Sequence, residues 1–104
     1  MTPLQRLKRS TTLDNLWIYI LALLKKRPLY GWEIPDLIEK EFQFRPGKIT
    51  PYRVLYRLQL DKFVKSRIDQ RRRVYQISAK GEKEFDNAYE ELRGLLNLLD
   101  GKHE

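Results

Sequence analysis

The stretch that decides the fold runs from residue 50 to residue 78 and reads TPYRVLYRLQLDKFVKSRIDQRRRVYQIS. Its first half has helical spacing, because a wheel that starts at Pro51 puts four residues within about 60° of it. They are Val54, Leu55, Leu58 and Lys62, the last with its aliphatic stem packed and its amine in water. In the second half, Val64 to Ile68 and Arg73 to Ile77 alternate apolar with polar residues. The stretch therefore predicts an amphipathic helix followed by a β-hairpin.

The exposed side of this helix is basic and aromatic, and no acid occurs between Phe42 and Leu60. Tyr52, Arg53, Tyr56 and Arg57 lie on that side, and Arg45 and Lys48 come just before the helix. Thr50 is the predicted N-cap and Pro51 the first helical residue. Free N–H groups at such a helix start suit a phosphate. Three consecutive arginines, Arg71 to Arg73, occupy the predicted hairpin tip. A recognition helix and a wing for nucleic acid are the expected result.

Two more helices are predicted upstream of this stretch. The first has Thr11 or Thr12 as its N-cap and is apolar nearly all round, so it needs cover on every side. It is either a central core helix or partly a subunit contact, and the pattern does not choose between them. The second passes through Ile34, Ile38 and Phe42, and it either begins at Pro35 or has a distorted first turn before it.

A long helix is predicted after the hairpin, from about residue 79 to residue 99, with Ser78 as its cap. Phe85, Leu92 and Leu99 are seven residues apart, which favours a dimer seam over packing on its own domain. The fold class is mainly α with a two-stranded β-wing: a winged helix-turn-helix plus a long C-terminal helix. We divide the chain into a basic N-terminal arm (1–10), a winged-helix DNA-binding domain (11–78) and a dimerisation helix with a tail (79–104).

Composition narrows the function. The 104 residues carry a net charge of +7, concentrated at residues 1–27 and 43–81, whereas residues 82–104 are acidic. This predicts an anionic partner that contacts the basic segments and is repelled by the acidic residues 82–104. There is no cysteine, and the one histidine, His103, lies in a polar tail, so we expect no metal, no cofactor and no enzyme. The longest apolar run, Leu16 to Leu24, is too short for a bilayer, which favours a cytoplasmic protein without membrane contact.

A family resemblance covers residues 16–99. Ile20 to Leu24 followed by Pro-Leu-Tyr-Gly-Trp-Glu-Ile at 28–34 resembles the opening of PadR-family regulators, whose first helix ends before a Pro-Leu-His-Gly-Tyr-Glu-Ile turn. Residues 50–64 resemble the family's recognition helix, and residues 72–81 resemble its wing-to-helix junction. Pro51 and Arg53 depart from the family pattern, as do Ile49 and Lys62 at positions where glycine is usual. The groove-facing side chains therefore differ, and a family operator sequence does not transfer.

The resemblance implies a transcriptional regulator, expected to be a repressor, that binds double-stranded DNA as a homodimer. Short members of the family dimerise through their first and last helices. The expected DNA-binding residues are Arg45, Lys48, Thr50, Tyr52, Arg53, Tyr56, Arg57, Arg71, Arg72 and Arg73. The expected dimer-interface residues are Leu13, Leu16, Trp17, Ile20, Phe85, Leu92, Leu95, Leu96 and Leu99.

Two alternatives stay open at this point. The fold also occurs as a protein-binding module, here one that would dock an acidic partner. A small planar hydrophobic effector is compatible with DNA binding, since Trp17, Tyr19, Tyr30 and Trp32 could line an aromatic pocket at a dimer interface. Aromatic residues that only fill core and interface are the more common case.

Overall fold

The computed structural model describes residues 1–103 and contains five α-helices and three β-strands in that range. The helices are α1 (Pro3–Ser10), α2 (Leu16–Lys26), α3 (Ile34–Phe42), α4 (Thr50–Leu60) and α5 (Ala79–Leu99). The strands are β1 (Leu29–Tyr30), β2 (Val64–Asp69) and β3 (Arg72–Ile77). Among residues 1–103, no helix combines the length and the apolar character needed to cross a bilayer.

Helix α2 is the centre of the core. Its Leu16, Ile20 and Leu21 are at most 1 % exposed, and α3, α4, α5 and β3 all pack against this helix. The predicted buried stripe of α4 is confirmed, because Pro51, Leu55 and Leu58 are buried and Val54 is partly buried. Full burial of one such aliphatic side chain contributes about 1.5–3 kcal/mol, so these contacts fix α4 firmly on α2.

The start of the apolar helix was predicted too early. Helix α2 begins at Leu16 after a short 3-10 turn, Leu13–Asn15, and Asn15 is its N-cap residue. Thr12 does not cap this helix, since its hydroxyl donates to the carbonyl oxygen of Lys8 at 2.6 Å and so closes α1 instead. The hydroxyl of Tyr19 donates to the carbonyl oxygen of Thr11 and holds the turn against α2. The basic N-terminal arm forms helix α1, which has no buried residue.

The segment between α2 and α3 adds a strand that the sequence did not reveal. The hairpin of β2 and β3 is confirmed, but β1 pairs antiparallel with β3, so the sheet has three strands in the order β1-β3-β2. A 3-10 turn, Gly31–Glu33, then leads into α3, and this is the distorted first turn that Pro35 suggested. Two residues of strand are too few to show alternation, which explains the omission.

Helix α5 leaves the sheet through a tight junction. Ser78 is its N-cap, as predicted, and its hydroxyl accepts from the N–H of Gly81 and donates to the carbonyl oxygen of Lys62. Lys62 itself was placed wrongly: it lies beyond α4 in a left-handed conformation (φ 68°) with an exposed side chain.

The radius of gyration is 15.1 Å, against about 13 Å for a compact chain of this length. The residues of α5 after Ala88 are all exposed, so this helix extends beyond the domain body.

Candidate nucleic-acid interface

The exposed face of α4 presents aromatic and basic groups together. Tyr52 is 45 % and Tyr56 68 % exposed, and Arg53 between them is exposed and makes no ion pair within residues 1–103. The apolar side chain of Ile49, 63 % exposed, lies at the start of this face. The hydroxyl of a tyrosine and the guanidinium of an arginine can donate to base edges, and an aliphatic side chain can contact a thymine methyl group.

A close contact fixes the helix at this end. The space beside the Cα atom of Gly31 is filled by the ring of Tyr52, which would lie 3.0 Å from any Cβ atom there, and the ring of Tyr75 follows at 3.3 Å. The first turn of α4 is therefore packed against β3 and the turn after β1. Burial raises the pKa of the Tyr75 hydroxyl, with a smaller opposing effect of Arg73.

The start of α4 offers an anion fewer free N–H groups than predicted. Thr50 is not an N-cap: Ile49 holds that position, and no side chain caps the helix. The N–H groups of Tyr52 and Arg53 both bond to the carbonyl oxygen of Ile49, and Pro51 has no N–H. Few free donors remain at this helix end for an anion.

Two of the predicted basic residues are already paired with acids of the same chain. Arg45 bonds to Asp36 at 2.6 Å and lies 3.6 Å from Glu39, and the hydrogen bond to Asp36 raises the pKa of its guanidinium. The Nε atom of Arg57 bonds to Asp61, four residues on, at 3.1 Å. Both pairs are exposed, so they are weak and can exchange for a phosphate, but each must first be broken.

The three wing arginines have three different surroundings. Arg71 is at the tip, where it and Gln70 form the two-residue turn with φ of 64° and 50°. Arg72 lies in β3 with its guanidinium 6.0 Å from the ring of Trp32. Arg73 donates to the Ser66 hydroxyl at 2.8 Å, which in turn donates to Gln59 of α4 at 2.9 Å. Within residues 1–103, neither Arg71 nor Arg72 forms an ion pair, while Arg73 ties the wing to α4 through Ser66.

Sequence reasoning missed two exposed cations of the wing, Lys65 and Arg67, which lie on β2. The alternation of that strand was recognised, and it was the signal that could have found them, because it places both on one face. Ile49 was not among the expected DNA-binding residues.

The expected dimer-interface residues divide into two groups. Leu16 and Ile20 are fully buried within their own chain, so their side chains cannot contact a partner, which corrects that expectation; Trp17 and Phe85 pack against the same core. The rest remain exposed: Leu13, Leu92, Leu95, Leu96 and Leu99 are between 44 % and 74 % exposed, together with Tyr89 and Leu98. In α1, Leu4 and Leu7 are 59 % and 57 % exposed.

The four aromatic residues expected around one pocket belong to three separate groups. Tyr19 packs edge-to-face on Phe42 and Phe44, and Tyr30 stacks on Trp32. Trp17 lines a different feature, an open groove of 540 Å³. The other residues of this groove are Arg53, Val54, Arg57, Leu58, Asp61, Phe63 and Glu84.

The chain was compared with known proteins. Residues 20–87 match the family described as transcriptional regulator PadR-like. The chain belongs to the PadR-like family. Its members are transcriptional regulators and not enzymes, as the sequence predicted. The comparison with curated proteins gave no match.

Solved structures agree with this assignment of fold. This PadR-like chain has 22 % identity to a PadR family transcription regulator from Clostridium difficile, with a TM-score of 0.75 over 82 % of this chain and 94 % of that one. It has 26 % identity to Bacillus subtilis PadR in complex with operator DNA, with a TM-score of 0.63 over 71 % of this chain and 46 % of that one. For Bacillus subtilis PadR in complex with p-coumaric acid the identity is 28 % and the TM-score 0.60, over 71 % and 41 % of the two chains. The mainly α winged-helix fold class is confirmed.

Proposed function

We propose that this PadR-like regulator binds double-stranded DNA sequence-specifically as a homodimer, with α4 in the major groove and the wing on flanking backbone or in the minor groove. The observation that carries the proposal is the exposed face of α4, where Tyr52, Arg53 and Tyr56 are exposed and Arg53 forms no ion pair within residues 1–103. The Bacillus subtilis PadR structure with operator DNA supports the same use of this fold.

The side chains divide by role. Arg53, Tyr52 and Tyr56 address base edges or nearby backbone, and Lys48 and Thr50 contact phosphates. Arg57 joins them when a phosphate replaces Asp61. Arg71 at the wing tip enters the minor groove or binds its rim. Arg45 has the smallest share, because Asp36 and Glu39 already hold it.

Dimerisation is supported by apolar surface that the single chain leaves open. The outer half of α5 exposes Leu92, Leu96 and Leu99, and α1 exposes Leu4 and Leu7. Charges are complementary, because α1 has three bases and no acid whereas residues 82–104 are acidic. A two-fold dimer would present its two α4 helices to half-sites about 34 Å apart, or a multiple of that distance.

The test is the affinity for a duplex selected from a random pool, measured at several salt concentrations. We expect a two-fold symmetric consensus and a linear fall of log affinity with log salt. Arg53→Ala should relax the consensus at one position in each half-site and weaken binding about 5-fold to 150-fold, on the order of 1–3 kcal/mol. Arg93→Ala in α5 is the matched control and should leave binding unchanged. An affinity that does not depend on salt, or full affinity in Arg53→Ala, would contradict the proposal.

The protein-docking alternative makes a different prediction in the same assay. A module for an acidic partner would bind duplexes weakly and without sequence preference, and an acidic peptide would compete fully. We favour DNA because the exposed face combines tyrosines with arginine, whereas an acidic peptide requires only the charge.

Repression is the expected direction of regulation, since a dimer that covers a promoter excludes polymerase from it. Transcription in vitro from a template that carries the selected site would fall as the protein is added. A rise would establish activation without changing the DNA-binding proposal.

A small planar effector is also part of the proposal, in the open groove that Trp17 lines rather than in the pocket first expected. The specific observation is that apolar Val54, Leu58 and Phe63 meet Arg53 and Arg57 in this groove, so a ligand there would occupy groups that also face DNA. Asp61 and Glu84 line the same groove, and Asp61 is paired with Arg57, so the cation open to an anionic aromatic ligand is Arg53. The ligand p-coumaric acid, bound by Bacillus subtilis PadR, belongs to this chemical class. In a Trp32→Phe background, p-coumaric acid should quench the fluorescence of Trp17. In the wild type, the same compound should reduce DNA binding.

A further inference from the structure

The wing has two faces, and only one of them meets α4. Strand pairing places Ser66 opposite Tyr75 on the inner face, where Ser66 also bonds to Gln59 of α4. The alternate pairs, Lys65 with Gln76, Arg67 with Val74 and Asp69 with Arg72, lie on the other face. We call Lys65, Arg67, Arg72 and the adjacent Trp32 the outer wing face.

An aromatic stack orders the end of this face. The rings of Tyr30 and Trp32 are parallel within 11° at 6.1 Å, and the guanidinium of Arg72 lies 6.0 Å from the Trp32 ring. The hydroxyl of Tyr30 donates to Asp69 at 3.3 Å, which anchors the stack to β2. Trp32 is 54 % exposed, and its indole N–H has no acceptor within residues 1–103. The stack therefore presents a fixed cation and a free donor side by side.

The cations of this face lack partners as well. In the described part of the chain, Lys65, Arg67 and Arg72 form no ion pair, whereas Arg9, Arg45 and Arg57 all do. The one acid of the face, Asp69, already accepts from Tyr30. Three cations and one carboxylate leave this face with a net positive charge beside an indole donor, which suits phosphate.

We propose that the outer wing face is a second phosphate-binding surface, which holds the DNA strand on the far side of the minor groove when the wing tip enters that groove. This rests on the proposed function. The minor groove is about 6 Å wide, so only the Gln70–Arg71 turn can enter it. The β-strands behind this turn then lie at the mouth of the groove, with one DNA backbone on each side of them. The inner face meets the strand nearest α4, and Lys65, Arg67, Arg72 and the Trp32 N–H meet the other strand. The contact is to phosphates and carries no sequence information.

The test compares two double variants on the selected duplex. Lys65→Ala with Arg67→Ala should lower the magnitude of the salt slope by about 2 and weaken binding about tenfold at moderate salt, because each phosphate contact contributes about 0.9 to the slope. The consensus sequence should not change. Lys83→Ala with Arg93→Ala removes the same charge from α5 and should leave the slope as it is. All four side chains are exposed, so thermal unfolding should show that both variants fold.

Two further measurements locate the contact. Neutral methylphosphonates placed singly along the strand across the minor groove from the wing should weaken the wild type several-fold and the Lys65→Ala, Arg67→Ala variant very little. Trp32→Phe keeps a ring under Arg72 but loses the N–H, and it should weaken binding without changing the melting temperature.

The outcomes separate the two proposals. If the wild type and the Lys65→Ala, Arg67→Ala variant have the same slope while Arg53→Ala still loses specific binding, the outer wing face is not a DNA contact and the proposed function stands. An equal loss in the α5 control overturns the inference too, because net charge alone would then explain it. If the wild type shifts no duplex at any salt concentration, both proposals fail.

Discussion

Gly81 in α5 packs so closely on Phe63 that a Cβ atom at residue 81 would lie 2.1 Å from the carbonyl oxygen of Phe63. The same carbonyl oxygen accepts the N–H of Ser78, so it cannot move away without breaking the junction of the wing and α5. The glycine is needed here for the space it leaves, since it lies in regular helix.

Gly81→Ala should therefore destabilise the fold by about 3 kcal/mol, the upper range for overpacking against a fixed group. Gly94→Ala, in the same helix, is the matched control. No atom of residues 1–103 lies within 4 Å of its Cβ position, and the change should raise the free energy of unfolding by about 0.5–1 kcal/mol. Urea denaturation of both variants measures this. Equal stability of the two would show that the junction yields.

The spacing of apolar residues along the sequence was enough to predict the parts of the fold that depend on local sequence. The buried stripe of α4 follows from 3.6-residue spacing, and the hairpin follows from alternation around a polar turn. Helix α2 shows the limit of this reasoning. It is apolar nearly all round, and no pattern within it shows that its own chain covers Leu16 and Ile20 completely.

Partners distant in sequence set the rest of the candidate site. The pair of Arg45 with Asp36 joins a loop to a helix nine residues earlier, and the stack of Trp32 with Arg72 joins residues that only the β1–β3 pairing brings together. Counting charge treats Arg45 and Arg53 alike, whereas Arg45 is paired with Asp36 and Arg53 has no ion pair in the part of the chain that the structure describes. The pair of Arg57 with Asp61 was within reach of the sequence, because it has helical i,i+4 spacing.

The exposed leucines of α5 predict the oligomeric state. Leu92→Glu with Leu96→Glu should convert a dimer to a monomer, because two charges would have to be buried in the proposed apolar seam. Sedimentation equilibrium should show about half the wild-type mass, and binding to a two-half-site duplex should weaken towards that of a single half-site. Lys83→Glu with Lys102→Glu adds acid elsewhere in the tail and should remain dimeric. A monomeric wild type would contradict the proposed dimer interface of α5.

Stability at high pH should depend on Tyr75. Burial raises the pKa of its hydroxyl in the folded chain, whereas in the unfolded chain it titrates at its ordinary value of about 10. The stability that neutral Tyr75 contributes is thus complete below about pH 10 and is lost as the pH rises through the folded pKa. Tyr19, whose pKa burial also raises, acts in the same direction. In urea titrations from pH 8 to 11, Tyr75→Phe should lose less stability above pH 10 than the wild type; parallel curves would contradict this.

Arg71 occupies a position that is unfavourable for its own conformation. Its φ of 64° lies in the left-handed region, and with Gln70 at 50° it forms the kind of two-residue turn that normally takes Asn-Gly. Left-handed backbone costs a non-glycine residue about 1 kcal/mol, so Arg71→Gly should raise the free energy of unfolding by about that amount. The same variant removes the free cation of the wing tip, so its affinity for the selected duplex and its salt slope should both fall. Arg71→Ala separates the two effects, because it loses the charge but keeps the strain. If Arg71→Gly gains stability and keeps full affinity, the wing tip does not contact DNA, and the arginine has no role that offsets its strain.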